Sequence, residues 1–126
     1  MTENEITYAV RGAVFAVHNE LGPGLLESIY HKALVYELQK RGLKAESEVE
    51  VPVVYDGKVL CNDLKLDILV EDKVILELKS VETLLPVHKK QLSTYLKLTG
   101  KKIGLLINFN ASTMTGGAII REANLL

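Results

Sequence analysis

The sequence predicts an α/β domain, a mixed central sheet flanked by helices. Apolar residues recur at helical spacing over residues 3–20 and again over 25–41. Between residues 49 and 80 the period shortens to two, or the apolar runs become continuous, as in strands. Beyond that a helix and a final strand follow.

In the first helix Ile6, Ala9, Val10, Ala13, Val14 and Val17 share one face, and Gly22-Pro23-Gly24 stops it. A second helix runs from about Leu25 to Arg41, with Leu26, Ile29, Ala33, Leu34 and Leu38 inward. Lys40 and Arg41 suit its negative end, and Gly42 suits the left-handed position beyond it. "EVEVPVVY" alternates, and a turn at Asp56-Gly57 leads into a short "KVLC" strand, which predicts a hairpin.

Residues 64–70 and 74–80 form a second strand pair. Near-continuous apolar strands belong in mid-sheet, covered on both faces. Pro86 opens a third helix that runs to about Leu98 and ends at Gly100. "KIGLLINF" is the final buried strand, joined to its predecessor by a parallel crossover. The chain order is α-α-β-β-β-β-α-β.

The 126 residues suffice for one domain around a single core, with no internal linker or repeat. The start, "MTENEITYAV", lacks a basic region ahead of an apolar stretch, so no signal peptide is expected. No run approaches the roughly 20 apolar residues of a membrane span. The single cysteine, Cys61, excludes an internal disulfide, reads as a small core residue and points to the cytoplasm.

The net charge of −1 conceals an asymmetry. Residues 1–82 hold 9 Lys/Arg against 15 Asp/Glu, whereas residues 83–126 hold 6 against 1. Lys89, Lys90, Lys97, Lys101, Lys102 and Arg121 all follow Glu82 with no acid among them. Such a face either attracts phosphate or is simply solvated.

Charges are out of place in "LKLDILVEDKVILELKSV", where Asp67, Glu77 and Lys79 interrupt buried strands. Alternation puts Glu77 and Lys79 on one face. A two-residue loop of Glu71 and Asp72 would set Asp67 opposite Leu76, on the other face from Glu77. A three-residue loop of Glu71, Asp72 and Lys73 pairs Val70 with Val74 and sets Asp67 directly across from Glu77. It also keeps Lys73 out of the sheet.

Two carboxylates roughly 5 Å apart repel unless a cation joins them. A hard ion such as Mg²⁺, with Lys79 beside it, suits phosphodiester hydrolysis; the plainer alternative is an ion pair between Lys79 and one acid. Glu27, in the first turn of the second helix, either favours the helix dipole or joins this site. Gln91 and Tyr95 share a helix face, with His88 one turn earlier. His18 and His31 read as structural.

Glu27, Asp67, Glu77-Leu78-Lys79 and Gln91-Leu92-Ser93-Thr94-Tyr95 resemble the E…D…ExK…QxxxY motifs of the RecB-like branch of the PD-(D/E)XK nuclease superfamily. "GPGLLESIY" is similar to the signature of its GxxExxY family of small prokaryotic proteins. The likeness covers about residues 5–110, with Leu66 where the pattern often has proline before the Asp. It implies a restriction-endonuclease-like αβββαβ core, to which the first helix is an addition.

The resemblance also implies roles. Asp67, Glu77, the Leu78 carbonyl and Glu27 would serve Mg²⁺, with Mn²⁺ as a substitute. Lys79 would position the attacking water and stabilise charge on phosphate. Gln91 and Tyr95 would orient the lysine and a carboxylate, or meet the nucleic-acid backbone. The family pattern gives His88 no role; it reads as a phosphate contact or a plain surface histidine, while Lys89 and Lys90 of the basic third helix would face the substrate, taken as DNA. So small a chain would draw specificity from a homodimer or a protein partner. The rival reading is a catalytically silent module of the same fold that binds nucleic acid or protein. A small metabolic enzyme finds no support, because no phosphate-binding glycine loop, nucleophile elbow or CxxC is present.

Overall fold

Helix α1 (Glu3–Leu21) begins where Thr2 and Glu5 cap each other, the Thr2 hydroxyl accepting from the Glu5 N–H and the Glu5 carboxylate from the Thr2 N–H. Its buried stripe of Ile6, Val10, Ala13, Val14 and Val17 is the predicted one, and Ala9 packs at its margin. The computed structural model describes residues 1–124. Helix α2 (Glu27–Lys40) starts two residues later than expected, with Leu26 as N-cap. Its inward stripe is Tyr30, Leu34 and Leu38, whereas Leu26 and Ile29 are exposed and Ala33 is only partly buried. Tyr30 stands four residues before Leu34 and continues the Leu34–Leu38 line inward, so Ile29 falls to its exposed side.

Strands β1 (Ala45–Tyr55) and β2 (Lys58–Val70) form one long antiparallel hairpin closed at Asp56-Gly57. The predicted break between "KVLC" and residue 64 does not exist. β2 runs through Asn62 and Asp63 because this part of the hairpin projects from the core, where polar residues lose no solvation. Strand β3 (Val74–Lys79) follows a three-residue connection. Glu71 and Asp72 adopt left-handed backbone (φ 54° and 56°), and the Lys73 N–H closes the turn on the Val70 carbonyl at 3.0 Å. Lys44 secures this turn from β1's entry: its N–H donates to the Glu71 carboxylate and its ammonium pairs with Asp72 at 3.1 Å. Val70 pairs with Val74, Leu69 with Ile75 and Ile68 with Leu76.

Helix α3 (Pro86–Thr99) ends at Gly100, which takes the left-handed conformation (φ 70°), and leads to β4 (Ile103–Asn108), parallel to β3. A final antiparallel strand, β5 (Ile119–Ala123), was not expected; its five residues make too short a pattern to stand out. The sheet order is β1-β2-β3-β4-β5, so the apolar β3 is central. The order α2-β1-β2-β3-α3-β4 is the expected αβββαβ, with α1 before it and β5 after.

The two sheet faces bury separate cores. Ile68, Val70, Val74, Leu76, Leu78, Leu105 and Ile107 meet α1 and α2, where Tyr30 stacks on Phe109 at 4.7 Å. Leu69, Ile75 and Leu106 meet Leu92, Tyr95 and Leu96 of α3. Gly104 lets α3 lie close, since a β-carbon there would stand 2.6 Å from Leu92 Cδ1. Among the described residues no helix is long and apolar enough to cross a membrane.

Candidate active site

The β2–β3 ladder changes character just past Ile68 and Leu76. The next residues, Asp67 and Glu77, lie opposite each other, as the three-residue loop requires. The Asp67 N–H donates to Glu77 Oε2 at 2.9 Å, and the Leu78 N–H donates to Asp67 Oδ2 at 2.8 Å. Side-chain carboxylates thus replace backbone carbonyls as partners of the two amides. This holds both acids in the sheet and leaves Asp67 Oδ1 and Glu77 Oε1 without a protein donor among the described residues.

Glu77 is only 4% exposed. Burial, then the Asp67 charge, push its pKa up to about 8, against the opposing pull of the Asp67 N–H and Lys79. Asp67 is also raised, first by burial; the Leu78 N–H, then His31 and Lys79, pull the other way. One proton shared between these acids, or one cation, relieves the repulsion.

Lys79 lies on the same face of β3 as Glu77, half-buried at the strand's end. The ordinary ion pair does not form: the salt bridges among the described residues involve Glu37, Lys40, Arg41, Lys44, Glu46 and Asp72, and none involves Lys79. Its backbone is fixed where the chain leaves the sheet. The Phe109 N–H donates to the Lys79 carbonyl at 2.9 Å, and Asn108 grips Val81 with both ends of its amide.

Glu27 opens α2 and keeps contact with solvent, yet partial desolvation of its carboxyl raises its pKa, opposed by Lys79 and reinforced by Asp67. It shares the field of the pair from the α2 side. From the other face, buried Tyr95 approaches Glu77: burial and the Glu77 charge raise the phenol's pKa, and Gln91 Nε2 donates to its oxygen at 2.9 Å. His88 Nδ1 accepts the Leu85 N–H at 3.0 Å, which leaves the ring proton on Nε2. Lys89 and Lys90 are exposed. Lys89 lines a surface cleft of about 500 Å³, formed with the 82–86 segment and Asn108; Asp67, Glu77 and Lys79 are not in its wall.

Two residues near the acids escaped the sequence reading. His31, read as structural, lies one turn beyond Glu27, hydrogen-bonds Ser47 on β1 and acts on both Asp67 and Glu27. Its spacing of four from Glu27 was the available signal. Glu48 stands across from Asp67 with φ 57°, a left-handed residue inside β1 between the pairs Ser47–Ile68 and Val49–Leu66. Alternation carries no sign of such an irregularity. His18, by contrast, is structural as expected: buried, with Nε2 at 2.8 Å from the Ala111 carbonyl.

A family model of the PD-(D/E)XK nuclease superfamily matches residues 4–121. The chain belongs to that superfamily. The PD-(D/E)XK proteins are in general nucleases, hydrolases of nucleic acid that use divalent metals such as Mg²⁺, on a restriction-endonuclease-like fold. This PD-(D/E)XK chain has that fold: a mixed five-stranded sheet with three helices. No curated protein and no solved structure matches it.

The donor set suits a hard divalent ion, because Asp67 Oδ1 and Glu77 Oε1 remain free on acids whose joint ionisation is otherwise penalised. Among the described residues no three His, Cys, Asp or Glu side chains are gathered closely enough to hold a metal ion by themselves.

Proposed function

We propose that this chain is a Mg²⁺-dependent nuclease of the GxxExxY branch that hydrolyses DNA phosphodiesters, with Mn²⁺ able to replace Mg²⁺. The supporting observation is the amide-locked pair of Asp67 and Glu77 beside a lysine that neither of them neutralises. Asp67, Glu77 and the Leu78 carbonyl would hold the ion, with Glu27 reaching its waters from α2. When bound, the ion supplies charge neutralisation at phosphate and a water of lowered pKa.

The remaining work falls to the chain's own groups. Lys79 donates to a non-bridging phosphate oxygen, where negative charge grows in the transition state, and orients the attacking water. Tyr95 keeps its proton at neutral pH and steadies Glu77, while Gln91 fixes the phenol. His88 Nε2–H, Lys89 and Lys90 hold the strand's phosphates along α3. A homodimer or protein partner would supply specificity, and the reading places the protein in the cytoplasm.

Plasmid, linear and branched DNA, and RNA, should be incubated with the wild type and Lys79→Ala in Mg²⁺ or Mn²⁺. Wild type cleaves DNA, and Lys79→Ala loses at least about a hundredfold in rate. Equal rates in the two proteins would leave a non-catalytic binding module as the better reading.

A further inference from the structure

No N-cap side chain fixes the start of α2, and with it the place of Glu27. The Leu26 N-cap offers no side-chain hydrogen bond, and the residues before it form a Gly-Pro-Gly loop. The loop is instead gripped from two directions. Tyr30, fully buried and stacked on Phe109, donates its phenol proton to the Gly22 carbonyl at 2.5 Å and accepts the Leu25 N–H at 3.1 Å. Ser80, the residue after Lys79, donates its hydroxyl proton to the Leu25 carbonyl at 2.7 Å.

The sequence serves this grip. Gly22 and Gly24 have φ of 68° and 97°, backbone that side-chain-bearing residues adopt rarely, and the resulting turn presents a carbonyl and an N–H to a single hydroxyl. Both backbone groups of Leu25 are thereby used, one by α2's own tyrosine and one by the end of β3. Glu27 follows two residues later. The start of α2 is tied to the neighbour of Lys79, so the helix acid and the strand lysine cannot drift independently.

We propose that Tyr30 and Ser80 are positioning residues that lock Glu27 against Lys79 and the Asp67–Glu77 pair. The inference rests on the nuclease reading above and explains why a tyrosine stands three residues after the helix acid. A phenylalanine at position 30 would fill the core and stack on Phe109 equally well, so the hydroxyl is there for the loop.

The test is a double-mutant cycle between Tyr30→Phe and Glu27→Gln, read by cleavage kinetics and by calorimetric titration with Mn²⁺. Tyr30→Phe keeps the ring and its stack, so the fold persists. Alone it should lower kcat and Mn²⁺ affinity by about tenfold, with KM unchanged. In the Glu27→Gln background it should add less than about twofold, because the residue it positions is already gone. Ser80→Ala should behave in the same way. Wild-type kcat and Mn²⁺ affinity in Tyr30→Phe, or losses that multiply fully in the double variant, overturn the proposal. Undiminished cleavage by Lys79→Ala overturns the nuclease reading beneath it, and is distinguished by leaving the Mn²⁺ cycle intact.

Discussion

Asp67 and Glu77 hold each other in place across β2 and β3 through amides: Glu77 Oε2 takes the Asp67 N–H at 2.9 Å, and Asp67 Oδ2 takes the Leu78 N–H at 2.8 Å. Each acid has one oxygen committed to the sheet and one available. The arrangement is costly when both are ionised, and that cost is measurable.

The pKa of Glu77 in the fold, about 8, lies above the ordinary 4.5. Between these values the folded state binds more protons than the unfolded, so stability falls as pH rises through that window. Below it the penalty is absent, and above it the penalty is complete. In EDTA, urea midpoints taken from pH 5 to pH 8 should therefore decline, with a slope from this group of at most about 1.4 kcal/mol per pH unit. Glu77→Gln should flatten the decline. An equally steep decline in that variant would place the proton elsewhere.

A divalent ion should cancel the same penalty. Mn²⁺ is expected to raise the wild-type unfolding midpoint more at pH 8 than at pH 5, where protons compete for the site. Asp67→Ala should abolish Mn²⁺ binding in calorimetry while leaving the metal-free protein folded, since it also removes a partly buried charge. Retained binding would show that the pair is not the metal site.

Lys89 and Lys90 project from the first turns of α3, beside Gln91. The variant with Lys89→Ala and Lys90→Ala should bind duplex DNA more weakly at every sequence, and the slope of log affinity against log salt should fall by about 2. An unchanged slope would assign that face to solvent.

Gly104→Ala addresses the packing beneath the site. Its methyl would meet Leu92 Cδ1 at 2.6 Å and the Ile75 carbonyl at 3.3 Å, both in a closed core. A loss of about 1–3 kcal/mol in chemical denaturation is expected, with α3 displaced and cleavage reduced alongside it. Full stability would mean that α3 has room to spare.

Much of this was legible locally. The register of Asp67 on Glu77 follows from loop length and the two-residue period, and the structure bears it out through Val70 and Val74. The inward stripe of α1 and the central place of β3 follow from apolar spacing. The rest depended on solvent exposure and on distant partners. Asn62 and Asp63 read as a break, yet they sit within a strand that projects into water. β5 exists because β4 offers it an edge to pair with.

The sequence by itself determined the periodicities, and with them the two strand faces, the placing of Asp67, Glu77 and Lys79, and the helix that carries Gln91 and Tyr95. Only the tertiary structure decided that the acids would bond to each other's strands, that Lys79 would stand unpaired, and that His31 and Glu48 would join the neighbourhood. It also decided that Tyr30 and Ser80 would bind one loop from opposite sides. The physical reason is range. A side-chain period is set by neighbours a few residues away, whereas Ser80 reaches Leu25 only after the chain has closed around both cores.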